Sequence, residues 1–288
     1  MSSAPTHPLQ RLAYSLRREA LTMIYQARSG HPAGSLGMAE VFTSLYFDKV
    51  LRVDPKRPDW DRRDYFLLSN GHICPIFYAT LARAGFFPRS ELSTFRQLNS
   101  RLQGHPHFTR EPHKRLPGVE NTSGPLGQGL SQAAGIAMAL QLDERRNKVF
   151  CLMSDGEQQE GQTWETYQFI AHHRLHNLIG IIDYNDIQIS GKVSETMSLG
   201  QLKLKLLAFG LQVHEVDAHD LFALGELLRG AKQQRKQSQI IIARSVPGKG
   251  VSFMERDYRW HGKAPTDSEY HQAISELTIK EKACKHKH

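Results

Sequence analysis

Asp155 and Asn185 lie thirty positions apart, and each follows a short apolar run of strand character. The first run covers 148–154 and leads into Asp155-Gly156-Glu157. The second covers 177–183 and leads into Tyr184-Asn185-Asp186-Ile187. Residues 163–174 between them have a helical pattern. In a strand–helix–strand unit with a right-handed crossover, both strand exits fall on one edge of a parallel sheet. A carboxylate, an amide oxygen and a backbone carbonyl converging there suit Mg²⁺, a hard cation that completes its octahedron with phosphate oxygens and water. Gly156 lets backbone amides approach a phosphate at a helix start, where the partial positive charge favours an anion. The chemistry implied is a metal-held diphosphate. The plainer reading makes Asp155 a helix cap and Asn185 a turn residue. An ordered pair at two successive strand exits argues against it.

A second group of residues has the same character. Gly124, Gly127 and Gly129 precede an Ala-rich helical stretch, so the backbone there can approach a ligand closely, or simply turn into the helix. Four histidines, His31, His72, His105 and His261, fall in loop-like surroundings. An isolated histidine is more often structural or exposed than catalytic, but imidazole is the side chain that titrates near neutral pH.

The elements that must position these residues alternate. Leu9, Leu12, Ala13, Leu16, Ala20, Met23, Ile24 and Ala27 share one helical face behind Pro8. A turn-rich break covers 29–35, and a second helix is expected over 38–50. A strand is expected over 64–69 and a helix over 73–84, with Pro75 in its first turn. Ser90 is expected to cap a short helix towards Gln97. Residues 99–120 are basic and rich in Pro and His, and read as a loop over a site. A strong helix covers 127–144. Strands near 148–154, 178–183, 211–217 and 239–244 alternate with helices near 163–174, 198–209 and 220–235. That alternation predicts an α/β fold with a mainly parallel sheet and helices on both faces. With no repeat and no Gly/Ser linker, 1–288 reads as one domain. The basic tail over 280–288 is expected to fray.

Bulk composition narrows the classes. Hydrophobic content of 40% and charged content of 23% fit a soluble globular protein. No stretch approaches the roughly 20 apolar residues that span a bilayer, and residues 1–8 lack the apolar core of a signal peptide. The amphipathic stretch 9–28, with Arg11, Arg17, Arg18 and Arg28, has some transit-peptide character, but it runs straight into the break that carries His31. Cys74, Cys151 and Cys284 are too widely spaced for a disulfide framework or a zinc site, so a reducing cytoplasm is expected. The net charge of +8 raises nucleic-acid binding. The basic residues are scattered and form no interleaved aromatic stripe. A solvated surface that attracts anionic substrates is the better account, with neither nucleic acid nor membrane as partner.

Several motifs, taken in order, resemble the N-terminal, thiamine-diphosphate-binding half of transketolase over residues 10–265. They are Ser29-Gly-His-Pro32, Leu68-Ser-Asn-Gly-His72, Gly104-His-Pro106, Thr122-Ser-Gly-Pro-Leu-Gly-Gln-Gly129, Ser154-Asp-Gly-Glu-Gln-Gln-Glu160, Asp183-Tyr-Asn-Asp-Ile187 and Trp260-His-Gly262. The resemblance implies that Asp155, Asn185 and the Ile187 carbonyl hold Mg²⁺ (other divalent cations can substitute) and that Gly156 meets the diphosphate. It implies that His72 and His261 approach the same end of thiamine diphosphate, and that Gly124, Pro125 and Leu126 line the aminopyrimidine pocket. His31 and His261 would contact the sugar near C1 and the reacting carbonyl, with His105 nearby. These three would serve the proton transfers of two-carbon glycolaldehyde transfer from a ketose, phosphorylated in the expected case, to an aldose. Glu160 and Glu165 would belong to the contact between the two halves of the site and couple cofactors across it; their plainer reading is helix-start carboxylates favoured by the macrodipole. His107 and His113 receive no role, and His172, His173 and His176 read as surface residues.

Two departures stand out. Ser154 occupies a position where the family usually has glycine. Family members also run to more than twice this length, and their next domain supplies the glutamate that activates the aminopyrimidine. The expectation is therefore half a site, completed by a separate C-terminal, pyrimidine-binding subunit in a heterotetramer of two copies of each chain. The α subunit of 2-oxo acid dehydrogenases and deoxyxylulose-phosphate synthase share such a domain, but Gly104-His-Pro106 and Trp260-His-Gly262 favour the transketolase branch. A non-catalytic protein that binds thiamine diphosphate is a further alternative, against which the four histidines argue.

Overall fold

The computed structural model describes residues 8–284. Helices α1 (Pro8–Gln26), α2 (Pro32–Gly37) and α3 (Ala39–Phe47) precede strand β1 (Tyr65–Leu68). Helices α4 (Cys74–Ala84) and α5 (Gln128–Leu142) lead to β2 (Val149–Ser154), and α6 (Gly161–His172) leads to β3 (Leu178–Tyr184). A small hairpin of β4 (Ile187–Gln188) and β5 (Gly191–Lys192) follows, then α7 (Val193–Thr196) and α8 (Leu202–Ala208). The chain continues through β6 (Gln212–Asp217), α9 (Leu221–Gln233), β7 (Gln239–Arg244) and α10 (Asp267–Ala283). The five long strands form one sheet in the order β1-β2-β3-β7-β6, and every neighbouring pair is parallel. Among the described residues no helix is long and apolar enough to cross a membrane.

The apolar runs explain the layering. In β2 the side chains of Phe150 and Leu152 join the core beneath α1, α3 and α4, while Val149, Cys151 and Met153 join the core beneath α5 and α6. A strand buried on both faces needs such a continuous apolar run, whereas in the edge strand β6 Val213 is buried and the other five residues are half-buried or exposed. Gly180 in β3 is forced by packing, because a Cβ there would lie 2.7 Å from Ile240 Cδ1. A third cluster joins Leu21, Leu36, Ile187, Val251, Trp260 and Leu277, and so ties α1, α2, the β4 hairpin and α10 together.

Four local expectations need correction. The break at 29–35 is helical from Pro32, because proline suits the first helical turn, and Ser35 Oγ donates to His31 O at 2.8 Å. The second helix stops at Phe47, with Lys49 in the left-handed region at φ 56°. The segment at Ser90 is a 3-10 turn over Arg89–Thr94. The basic tail is helical through Ala283, where Lys280 Nζ donates to Gly250 O at 2.8 Å and Glu281 accepts Arg18 Nη1 at 2.7 Å; at its other end α10 opens with a capping box. Thr266 Oγ1 accepts from Glu269 N, and the Glu269 carboxylate accepts from Thr266 N at 2.7 Å. Residues 285–288 of the expected fraying tail lie outside the described residues.

Candidate active site

Register sets the geometry at the sheet's carboxyl edge. Ser154 pairs with Asp183, and Asp155 N donates to Asp183 O at 3.0 Å, so the exits of β2 and β3 are adjacent. The Asp155 carboxylate then organises the loop after β3. Its Oδ2 accepts Asn185 N at 2.9 Å and Asp186 N at 2.5 Å, while Oδ1 accepts Gly156 N at 2.8 Å. Asp186 turns through φ 60°, a conformation that Asp tolerates better than most residues. Asn185 donates Nδ2 to Asp183 Oδ2 at 2.8 Å, and its Oδ1 accepts Ile187 N at 3.0 Å. Asp155, at the exit of β2, is therefore bonded to the loop after β3 that carries Asn185 and Ile187.

The donor chemistry fits a hard cation. Burial pushes the Asp155 carboxyl up to about 7, with the Asp183 charge adding to the rise and three backbone amides opposing it. Burial likewise pushes Asp183 up to about 7, against hydrogen bonds from Ser245 and Asn185. Two buried acids side by side favour a positive charge. Among the described residues no group of three His, Cys, Asp or Glu side chains is placed to hold a metal ion. A carboxylate, an amide oxygen and a backbone carbonyl suit Mg²⁺ only if phosphate and water complete its shell.

His31, His72 and His261 form a mutual cluster. Ring centroids are 5.1 Å apart for His31–His72, 5.6 Å for His31–His261 and 5.1 Å for His72–His261. Burial lowers His31 to about 4, helped by His261, Arg96 and His105. Burial also lowers His72 well below its ordinary value and lowers His261. These rings are therefore neutral at physiological pH and able to accept protons. His105 sits at the rim against Gly124, and partial burial of its ring and the Arg96 charge lower it too. His31 enters the cluster from the start of α2, His72 from the turn after β1, and His261 from the turn after Tyr258–Trp260.

Several buried polar atoms around this cluster have no hydrogen-bond partner: His31 Nδ1, both side-chain atoms of Asn70, Ser123 Oγ and Arg96 Nε. Orphaned polar atoms are costly to bury, so their gathering beside one opening points to a polar ligand. Residue type and spacing do not single out Asn70, Ser123 or Arg96. The available signal is that Asn70 and Ser123 lie inside two of the family-like motifs. Gly71 is so close to Ser123 that a Cβ would lie 2.4 Å from its Oγ. Gly124 has φ +133°, Pro125 is exposed and Leu126 half-buried, and a Cβ on Gly124 would lie 3.4 Å from the His105 ring. Glu160 and Glu165 are both exposed, and Gly127 packs on Glu160, whose Cβ would meet an added Cβ at 2.7 Å. His172 and His173 are exposed as expected, whereas His176 is half-buried and bonded through Nδ1 to Gln141 Nε2 at 2.8 Å.

The loop over 99–120 is firmly tied. Arg63 holds Glu120 at 2.6 and 3.0 Å, Arg101 holds Glu91 at 2.9 and 2.7 Å, and Leu102, Leu116 and Val119 are buried in the core. A groove of about 1170 Å³ runs along it from His105, lined by Arg96, Arg101, His107, His113 and Lys114, with no carboxylate among the lining residues.

The family model described as "Transketolase, thiamine diphosphate binding domain" matches residues 9–284. The chain is 37% identical over 262 residues to an apulose-4-phosphate transketolase subunit of Phocaeicola vulgatus, covering 91% of each chain. It is 36% identical over 269 residues to the 6-deoxy-6-sulfo-D-fructose transketolase subunit SqwG of a Clostridium species, covering 93% of this chain and 96% of that one. Among solved structures, Campylobacter jejuni transketolase superposes with a TM-score of 0.81 at 30% identity; the match covers 99% of this chain and 48% of that one. The chain belongs to the transketolase thiamine diphosphate-binding domain family.

Proposed function

We propose that this chain is the cofactor-binding subunit of a two-chain transketolase. The observation that carries the reading is the placement of Asp155 and Asn185 at adjoining strand exits, on the edge that also gathers three desolvated histidines. Asp155, Asn185 and the Ile187 carbonyl would hold Mg²⁺, and Gly156 and His72 would meet the diphosphate. Thiamine diphosphate, when bound, supplies the nucleophile and electron sink for carbon–carbon cleavage. His31 and His261 take and return the sugar's hydroxyl protons, a role open to them because desolvation keeps both rings neutral. His105 contacts the substrate from the rim.

The substrate is an anionic ketose. The groove beside His105 carries cations and no carboxylate. The two relatives described above are named for a sugar phosphate and a sulfo-sugar. Both are also named as subunits, which supports a pyrimidine-binding partner that completes the site, in a heterotetramer of two copies of each chain. Three free thiols suit the reducing cytoplasm. The test is to co-purify the chain with a pyrimidine-binding-half protein and assay phosphorylated ketoses and pyruvate as donors. Ketose-dependent glycolaldehyde transfer is expected. Turnover with pyruvate alone would overturn the transketolase assignment.

A further inference from the structure

Glu157 is a completely buried carboxylate to which the reaction above gives no role. Its three hydrogen-bond donors are all neutral. Oε1 accepts Ser69 Oγ and Gly127 N, the latter at 2.7 Å, and Oε2 accepts Ser154 N at 3.2 Å. The donors come from three separate segments, with Gly127 thirty and Ser69 eighty-eight positions away in sequence. Ser69 follows the last residue of β1 and leads into Asn70-Gly71-His72. Gly127 caps α5 and follows Gly124-Pro125-Leu126. Ser154 ends β2 and precedes Asp155-Gly156. The link runs one step further, since Gly129 N donates to Ser69 Oγ at 3.0 Å.

β1 and β2 also meet directly, with Ser69 N donating to Leu152 O at 2.8 Å, but Glu157 bonds to all three segments at once. Their backbones approach too closely for side chains to wedge between them: a Cβ on Gly129 would lie 2.3 Å from Ser69 Cβ. The site also demands a carboxylate. Two of the three donors are backbone amides that cannot rotate away, and a carboxylate offers lone pairs in every direction and no hydrogen. A glutamine carboxamide would aim its own N–H at one of those donors.

We infer that Glu157 is a positioning residue for the cofactor: it locks the His72 turn, the loop of Gly124, Pro125 and Leu126, and the Asp155-Gly156 turn into one mutual arrangement. This inference rests on reading the edge as a thiamine diphosphate site. Groups outside the ligand shell that orient it commonly matter to affinity by roughly 10- to 100-fold.

The test is calorimetric titration of magnesium thiamine diphosphate into the complex co-purified with its partner subunit, at a temperature where circular dichroism shows each variant folded. Glu157→Gln is expected to weaken binding roughly 10- to 100-fold. Ser69→Ala is expected to weaken it less, and the double variant to bind no worse than Glu157→Gln, since both changes break one link. Asp155→Ala serves as the reference for loss of the anchor. If Glu157→Gln lowers the thermal midpoint but binds within about twofold of wild type while Asp155→Ala does not bind, Glu157 is merely structural and the inference fails, with the cofactor site intact. If Glu157→Gln does not fold, unchanged affinity in Ser69→Ala overturns the inference. If the wild-type complex does not bind, or Asp155→Ala binds as well as wild type, the cofactor reading and this inference fall together.

Discussion

The side chains at the sheet edge combine by being desolvated together. Burial disfavours charge on His31, His72 and His261, and their proximity disfavours it further on His31 and His72, so three bases stay neutral in a space where an isolated imidazole would be half protonated below neutrality. In the assembled enzyme, His31→Ala and His261→Ala are each expected to lower turnover by about 10²–10⁴-fold, the scale of a lost acid–base group. A ketose-donor assay checks this, and full activity in both variants would remove them from the mechanism. Asp155→Ala is expected to abolish magnesium-dependent cofactor binding, because it removes both the proposed ligand and the acceptor that folds the Asn185 loop. Calorimetry with and without a chelator reads this directly. Unaltered affinity in the variant would reject the metal assignment.

At the scale of elements, His31 depends on a buried network that holds α2. Arg17 Nε donates to Leu36 O at 2.8 Å, and its terminal nitrogens grip Glu40 at 2.8 and 2.5 Å. His219 Nε2 accepts Val246 N at 2.9 Å, so Nδ1 carries the proton and donates to Glu40 Oε2 at 3.0 Å. One carboxylate thus joins α1, α3, the turn after β6 and the exit of β7. Burial alone would raise Glu40, but the Arg17 charge and hydrogen bonds from His219 and Arg17 outweigh it and hold the carboxyl at about 2. Its folded value lies below the ordinary 4.5, so its contribution is complete above 4.5 and lost as pH falls from there towards 2. A thermal-midpoint profile should steepen in that window for the wild type and flatten for Glu40→Gln. Glu40→Ala leaves Arg17 buried and unpaired and should cost about 3–5 kcal/mol by denaturant unfolding. A loss below about 1 kcal/mol would place the network at the level of a surface ion pair.

For the molecule as a whole, the cofactor edge is open. Pro125, Glu160 and Glu165 are exposed beside it, as are Leu98 on the groove and Ile189 on the hairpin. The purified chain alone is expected to give no measurable ketose turnover, and adding a pyrimidine-binding subunit should restore it. Light scattering should then report a mass equal to two copies of each chain. Full turnover by the isolated chain would overturn the two-subunit reading.

Much of this is readable in the chain itself. Parallel strands buried on both faces must be continuous apolar runs, so β2, β3 and β7 stand out in the sequence, and the short spacing between two such runs places Asp155 and Asn185 on one edge. Even α10, which the alternating pattern does not include, carries its signal in Thr266 and Glu269, three apart as a capping box requires. What the linear order does not contain is which distant groups share one buried volume. Glu157 looks like one more helix-start acid until folding brings Ser69 and Gly127 to it. Asn70, Ser123 and Arg96 become candidates only because closure leaves the Asn70 amide, Ser123 Oγ and Arg96 Nε without partners. Patterning within a segment follows from local geometry and the burial of one face. The satisfaction of a buried polar atom depends on what the rest of the chain brings to it, and only the packed molecule decides that.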